Sequence, residues 1–283
     1  MTRTLLFATL FQASGAVFFG VFYGRLLSQT VTPLINIART AAVAGVVLVV
    51  LHQVLDAARM ADDLAGIVDA GLERLAWQGA SGLAALLQIA GLSLIIFGSR
   101  RSRRARAVSG FPVTAIVGAP MSVVADVLIG HASVHDSRAV LMPLLALHLL
   151  LVAFWFGALL PLIRCCRSES RETVMAVMRG FSRQAGFLVP LLGLAGVCIA
   201  LILLPHRADW RSDYAWFILA KIAAFAALLL LAAWNRWRGV PAVATSSGTP
   251  ALSALQRSIA IEYALILAVM AVTATMTASY SPP

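Results

Sequence analysis

Charge is scarce in this 283-residue sequence. Charged residues make up 12% of the chain, which is about half of the share typical of a soluble protein. Hydrophobic residues make up 60% and fall in long blocks rather than in alternating or amphipathic patterns. A block of about 20 apolar residues is what a helix needs to span a bilayer. The composition therefore excludes a disordered chain, a secreted disulfide-rich protein and a cytosolic enzyme, and it predicts an integral membrane protein.

Cysteine is also rare, and the sequence motifs of common enzymes are missing. The chain has three Cys, and two of them, Cys165 and Cys166, are adjacent, so no disulfide framework is implied. There is no Walker motif, no dinucleotide-binding glycine fingerprint and no nucleophile elbow. We therefore predict that this protein is not an enzyme and that the chain alone is not an ATP-driven pump.

What the sequence does contain is a series of eight apolar spans. They cover residues 4–23, 40–55, 76–97, 111–130, 141–163, 187–204, 214–234 and 259–277. The second span is the shortest and could begin at Ile35. Because the connecting segments are short, no soluble domain of any size is expected. The prediction is an all-α polytopic membrane protein, a bundle of eight transmembrane helices that forms one integral membrane domain over residues 1–283.

The net charge of +10 has two interpretations. It could reflect nucleic-acid binding, or it could reflect basic loops that orient the chain in the membrane. The second interpretation is favoured because one set of alternate loops carries 15 Arg and the opposite set carries 6. Arg-rich loops face the cytoplasm, so both termini are expected on the outer side, and no nucleic-acid partner is expected.

All five His fall on the outer side of this topology. They are His52 near the outer end of span two, His131 at the end of span four, His135 in the following loop, His148 in span five and His206 after span six. His148 lies about 10 Å below the outer end of its span, at 1.5 Å per residue. Imidazole is a good ligand of copper, zinc, iron and nickel, so a metal site on the outer side is the hypothesis.

Two other residues could contribute to such a site. Met142 would supply a thioether, which favours Cu(I). Asp126 lies inside span four, where an ionisable residue indicates a functional site. Each candidate also has a structural interpretation: His148 as a hydrogen-bonded core residue, Met142 as a packing residue, and the loop His pair as solvated side chains. The candidate metal ligands are His148, His131, His135, His52, Asp126 and Met142.

Two charged residues inside the later spans are expected to be paired. Lys221 is too deep in span seven to reach the outer interface easily, and Asp126 is its candidate partner on depth. Glu262 lies in the first turn of span eight, where a helix N-terminus favours a negative charge. We interpret it as structural, with Arg236 or Arg257 as its expected partner.

Several short motifs follow one another from residue 130 onward. They are Gly130-His131, His148 followed by Trp155-Phe156-Gly157, Phe181-Ser182-Arg183, Tyr214 with Lys221 and Asn235-Arg236, and Arg257-Ser258 with Glu262. In this order and spacing the sequence resembles the copper resistance D family of bacterial inner-membrane proteins, over a little more than half of its length. It departs from the family at Ala158 and Ala215, where Gly is usual, and its first half matches mainly in hydropathy.

The resemblance implies copper handling, as uptake from the periplasm to the cytoplasm, often beside a small periplasmic copper-binding protein. It adds weight to His131 and His148, which match the family's motifs. The function predicted is a copper permease of the inner membrane that receives copper at His131 and His135, near Asp126, and passes it to His148. His52 is a further ligand, and the Cys165-Cys166 pair is an optional exit point, although a structural role for these thiols is favoured.

Other aspects of this function stay open at the level of sequence. The copper could be Cu(I) or Cu(II), and transport could be facilitated diffusion or could be coupled to protons through Asp126 and Lys221. One alternative is a haem b electron carrier with His52 and either His148 or His131 as axial ligands, although no second set of His lies in the inner half. Another alternative is a membrane scaffold that docks a periplasmic copper protein and transports nothing.

Overall fold

The computed structural model describes residues 2–104, 111–204, 213–245 and 249–279. In this part of the chain the regular structure is helical, with eleven α-helices. They are α1 Thr2–Tyr23, α2 Val31–Ala61, α3 Ala70–Gln78, α4 Ala80–Arg104, α5 Val113–Val124, α6 His131–Val134, α7 Arg138–Ser168, α8 Arg171–Leu203, α9 Asp213–Trp234, α10 Val240–Thr245 and α11 Thr249–Ser279. A 3-10 turn, Ala125–Leu128, continues α5, and a π-helical segment, Asn235–Gly239, joins α9 to α10.

Within the described residues, seven helices are long and apolar enough to cross a membrane. They are α1, α2, α4, α7, α8, α11 and the continuous helix that α9 and α10 form together. The predicted fourth span is a shorter apolar helix, Val113–Leu128. The all-α polytopic fold is thus confirmed, and seven of the eight predicted spans correspond to long helices.

Helix α2 starts well before the predicted start of span two. Hydropathy alone does not locate this start, since hydrogen bonds to Glu169 mark it. The backbone N–H groups of Ser28, Gln29 and Thr30 donate to Oε1 of Glu169, at 3.0, 2.8 and 2.7 Å. The Ser28 hydroxyl donates to Oε2 at 2.8 Å. A carboxylate at this position satisfies N–H groups that would otherwise lack partners next to a helix N-terminus. The helix therefore begins at Val31, nine residues before the first strongly apolar run.

The same contact shows that α1 and α7 end at one face of the bundle. Ser28 follows α1 and Glu169 follows α7. This end carries basic residues that include Arg25, Arg164, Arg167, Arg171 and Arg236, and we call it the Arg-rich end. The opposite end carries residues that include Asp56, Asp62, Asp63, Asp69 and Asp136, and we call it the acidic end.

Helix α1 lies at the centre of the bundle. Of its most apolar window 61% is buried, against 17% for the helix that runs through α9 and α10. It crosses α7 at Gly15 and Gly157, where a Cβ on either residue would overlap the backbone of the other helix. Such backbone-to-backbone packing is typical of small residues in membrane helices. Gln12 donates to the Gly157 carbonyl at 3.0 Å and fixes the crossing.

The other face of α7 packs through aromatic rings. Phe154 stacks on Phe181 of α8 at 5.7 Å, and Trp155 meets Phe225 of α9 edge-on at 6.1 Å. Phe156 stacks on Tyr263 of α11 with ring centroids 4.7 Å apart. Three consecutive residues of α7 therefore hold α8, α9 and α11 in place.

Candidate functional site

His148 lies in the third turn of α7 and faces α8. A Cβ placed on Gly196 would lie 3.3 Å from Cε1 and 3.6 Å from Nδ1 of the imidazole, so glycine leaves room for the ring. The backbone of Leu192 is a hydrogen-bond partner of the ring, and Nδ1 is buried without a partner. Metal-binding His residues commonly donate one ring N–H to a backbone carbonyl and keep the other nitrogen for the metal. Lys221 of α9 is the charged side chain that acts on this imidazole electrostatically.

Asp126 lies in the 3-10 turn at the acidic end and is buried. Its Oδ1 accepts a hydrogen bond from Nε2 of Gln88 at 3.0 Å, and its Oδ2 is buried without a partner. Arg3 of α1 interacts electrostatically with this carboxylate. The structure therefore gives Asp126 the partners Gln88 and Arg3, whereas Lys221, its predicted partner, lies beside His148.

His52 lies in the same neighbourhood as Asp126. It interacts electrostatically with Asp56, Arg59 and Arg3, and its Nδ1 is buried without a hydrogen-bond partner. Asp56 and Arg59 form an ion pair one turn further along α2. Arg3 is thus a neighbour common to His52 and Asp126.

Helix α7 separates these two groups of residues. Gly157 of α7 faces α1, and His148 precedes it by nine residues, which is about half a turn around the helix axis. His148 therefore points away from α1, whereas His52 and Asp126 lie with Arg3 of α1. The structure does not bring His52 and His148 together as the axial pair of one haem.

The remaining predicted ligands lie at the start of α7 or before it. Met142 precedes His148 by six residues, so it lies about 240° away around the helix and on a different face. His135 is half-buried, and its Nδ1 accepts a hydrogen bond from the Ser137 N–H at 2.9 Å, so metal binding through Nδ1 requires this bond to break. The backbone of His131 begins α6, but its side chain lies outside the described residues, as does all of His206.

No three His, Cys, Asp or Glu side chains come close enough to hold a metal ion in the part of the chain whose side chains are described. The described candidates instead form two separate groups, His52 with Asp126 and His148 with Lys221. Because the His131 side chain lies outside that part, the six-residue ligand set stays a prediction.

The partners of Glu262 differ from the expected Arg residues. Its Oε1 accepts a hydrogen bond from Nδ2 of Asn235, and the side chain of Trp155 is a second hydrogen-bond partner. The Arg236 guanidinium donates instead to the Ser182 carbonyl at 3.0 Å. Helix α11 begins at Thr249, so Glu262 lies more than three turns inside it rather than in its first turn. The sequence signal that could have located this group is the polar Asn235 at the end of an apolar span.

These features define a multi-pass helical membrane protein with buried polar groups on both sides of α7. Residues 175–276 match the family model described as Copper resistance protein D. The predicted resemblance is confirmed over this segment, which includes most of α8, α9 and α11. The match supports a role in copper resistance or transport, and the family is named for copper resistance rather than for a catalysed reaction. Neither the curated proteins nor the solved structures include a match to the chain.

Proposed function

We propose that this protein carries copper across the bacterial inner membrane, from the periplasm to the cytoplasm. The observation that carries the proposal is the environment of His148. One side of its ring is engaged by the Leu192 backbone, and its buried Nδ1 has no partner. Leu192 and Gly196, which shape this environment, lie in the segment that matches the copper resistance family. A neutral imidazole held in this way is suited to copper in either oxidation state.

The proposed topology has eight crossings, with the Arg-rich end in the cytoplasm and both termini in the periplasm. The short helix Val113–Leu128 runs antiparallel to α4, since Gly98 packs on Pro112 and Ala115 whereas Gly91 packs on Gly118. Its α-helical and 3-10 turns together extend about 26 Å, close to the ~30 Å of the hydrocarbon core. It therefore starts at the Arg-rich end and ends near the acidic end.

The proposed copper route begins at the periplasmic, acidic end. His131 and His135 receive the ion beside Asp126, and Met142 lies nearer to this end than His148 does. His148 binds copper inside the bundle, and His52 is a further ligand beside Asp126. The segment that would meet a small periplasmic copper-binding protein includes Leu64 and Val68, which are 72% and 85% exposed. It also carries acidic residues, so it would suit a partner with a basic and apolar surface.

The experiment that tests the site is copper analysis with a visible spectrum on detergent-purified protein. We expect wild-type protein to retain copper, His148→Ala to lose it, and Leu147→Ala to keep it. Leu147 is the matched control because it is the neighbouring residue on α7 and is exposed. Equal copper in wild type and His148→Ala would contradict the site, and a Soret band with little copper would show a cytochrome instead.

Transport needs a separate measurement. We expect vesicles that contain the wild-type protein to accumulate radioactive copper faster than vesicles with His148→Ala. Copper binding without accumulation would identify a docking scaffold rather than a permease.

A further inference from the structure

A buried carboxyl group lies on the Arg-rich side of His148. Glu262 is 4% exposed and lies in the membrane-spanning part of α11. Its two hydrogen-bond partners, the Asn235 amide and the Trp155 side chain, are both neutral. No Lys, Arg or His forms an ion pair with it among the residues that the structure describes. A carboxylate buried without a cation is costly, so this site calls for a small cation, and a proton is the smallest.

The hydrogen bonding of the Asn235 amide suits a protonated Glu262 better than an ionised one. Its Nδ2 donates to Oε1 of Glu262, while its Oδ1 is buried and has no hydrogen-bond partner. A carboxylate cannot donate to Oδ1, but a carboxylic acid can, because its O–H is a donor. Protonation of Glu262 would therefore satisfy the one atom of this amide that lacks a partner. Asn235 also begins the π-helical segment, and such segments occur frequently at functional sites.

His148 and Trp155, which is a hydrogen-bond partner of Glu262, lie on the same face of α7. His148 and Trp155 are seven residues apart, so they lie nearly in line and about 10 Å apart along the helix. The Trp155 ring meets Phe225 at 6.1 Å, and Phe225 follows Lys221 by one turn of α9. These two rings lie between the pair His148 and Lys221 and the pair Glu262 and Asn235.

The Lys and Arg side chains on α9 and on the π-helical segment have neighbours other than Glu262. On α9, Lys221 lies near His148. On the π-helical segment, Arg236 is directed to the Ser182 carbonyl and Arg238 lies over the Trp234 ring. On α11 the neighbouring Tyr263 stacks on Phe156 of α7. Glu262 is thus a buried acidic group on the Arg-rich side of the Trp155–Phe225 contact, and these side chains do not pair with it.

We infer that Glu262 is a proton-binding site, and that its protonation is coupled to the passage of copper from His148 past Trp155 and Phe225. The coupling rests on the copper transport proposed above, whereas the proton site does not. The proton moves between water at the Arg-rich end and Oε2 of Glu262, and no bond other than O–H forms or breaks.

The proton site is tested by infrared difference spectra of purified protein between neutral and acidic pH. We expect the carboxylic acid C=O band of wild type to contain a component that is absent in Glu262→Gln and kept in Glu172→Gln. Glu172 is the matched control because it is an exposed glutamate at the start of α8. Asn235→Leu keeps the carboxyl and removes its pairing amide, so it should shift the same band. A spectrum of wild type identical to that of Glu262→Gln would overturn the proton site.

The coupling is tested in proteoliposomes with a trapped pH-sensitive dye and added copper, supplied as Cu(I) or as Cu(II). We expect copper uptake by wild type to change the internal pH, and Glu262→Gln to lose this change. Copper uptake by wild type without any pH change would overturn the coupling and leave copper transport standing. Absence of copper uptake by wild type would overturn the proposed function and the coupling, and the infrared result would still decide the proton site.

Discussion

Helix α7 packs in two different ways on its two faces. Toward α1 it presents Gly157, and the two backbones touch and are joined by the Gln12 hydrogen bond. Toward α8, α9 and α11 it presents His148 and Trp155, and the contacts there are rings and polar side chains. Two polar atoms near that second face, in His148 and Asn235, are buried without partners. The first face fixes the frame of the bundle, and the second face carries His148 and the neighbours of Glu262, on which the two proposals rest.

The match to the copper resistance family follows this division. Its 175–276 segment supplies the helices that pack on the second face of α7. Helix α1, which supplies the first face, lies outside the matched segment. The helices that pack against His148 and Trp155 are therefore the ones that resemble a copper protein, whereas His148 itself lies outside the matched segment.

The largest effect on stability is expected from Gly157→Ala, which disrupts the packing of α7 against α1. Its Cβ would overlap the backbone of Gly15 and Phe11, so the helices must separate, at a cost of about 3 kcal/mol. Gly196→Ala is the matched change on the second face, because its Cβ would meet only the His148 ring. It should cost less than about 1 kcal/mol, since the side chain can move. Unfolding midpoints in detergent measure both, and equal midpoints would contradict the difference between the faces.

A smaller effect is expected from Gln88→Leu, which tests the polar group on the α1 side. Removal of the amide leaves the buried Asp126 without its hydrogen bond and should cost about 2 kcal/mol. The double variant Gln88→Leu with Asp126→Leu should recover part of this loss, because no buried acceptor is then left unpaired. Gln78→Leu, at an exposed position, is the control for the substitution itself. No recovery in the double variant would show that the pair does not act as a unit.

The sequence was sufficient for the class of fold but not for the arrangement of its polar residues. Apolar blocks predict membrane helices because a helix that spans the hydrocarbon core of a bilayer needs apolar side chains. Seven long apolar helices among the described residues confirm this prediction. Hydropathy does not say which helix is central, since lipid tails are as apolar as Leu. The signs that mark α1 as central are polar and small residues inside an apolar span, Gln12, Ser14 and Gly15.

The pairings of the charged residues required the three-dimensional structure. Lys221 and Asp126 lie at similar depths in their predicted spans. In the structure, however, Lys221 interacts with His148 on one side of α7, whereas Asp126 interacts with Arg3 on the other side. Hydropathy places Glu262 at a helix start because the residues before it are polar, yet those residues are helical from Thr249. Depth along a span can be read from sequence, whereas the direction in which a residue faces depends on helix packing.

A further prediction concerns the turn that precedes α6. Gly130 has a φ of +83°, and nothing lies within 4 Å of a Cβ built on it, so an added methyl group costs only backbone strain. Gly130→Ala should therefore destabilise the protein by about 1 kcal/mol. Gly79→Ala is the control, because Gly79 has a φ of −80° and its nearest neighbouring atom is 3.8 Å away. Equal unfolding midpoints for the two variants would contradict strain at Gly130.

The smallest effect is expected at the Arg-rich end, where Glu169 joins the two helices of the first face. Burial raises the pKa of its carboxyl, but the hydrogen bonds from Ser28, Thr30 and Gln29 outweigh burial and hold the pKa below its usual value. A lowered pKa means that the contact stabilises the fold fully above about pH 4.3, the value of an unperturbed Glu. This contribution is lost as the pH falls through the lower pKa of the folded state.

Glu169→Gln should therefore have a lower unfolding midpoint than wild type at neutral pH and approach it at acidic pH. Because the carboxyl is largely accessible to solvent, the difference should stay below about 1 kcal/mol. Asp136→Asn, an exposed change at the acidic end, is the control for the removal of a carboxylate outside this contact. If the gap between Glu169→Gln and wild type were instead constant with pH, the stabilisation would not depend on ionisation of the carboxyl. The link between α1 and α7 would then rest on contacts without a net charge, among them the Gly15–Gly157 crossing and the Gln12 hydrogen bond.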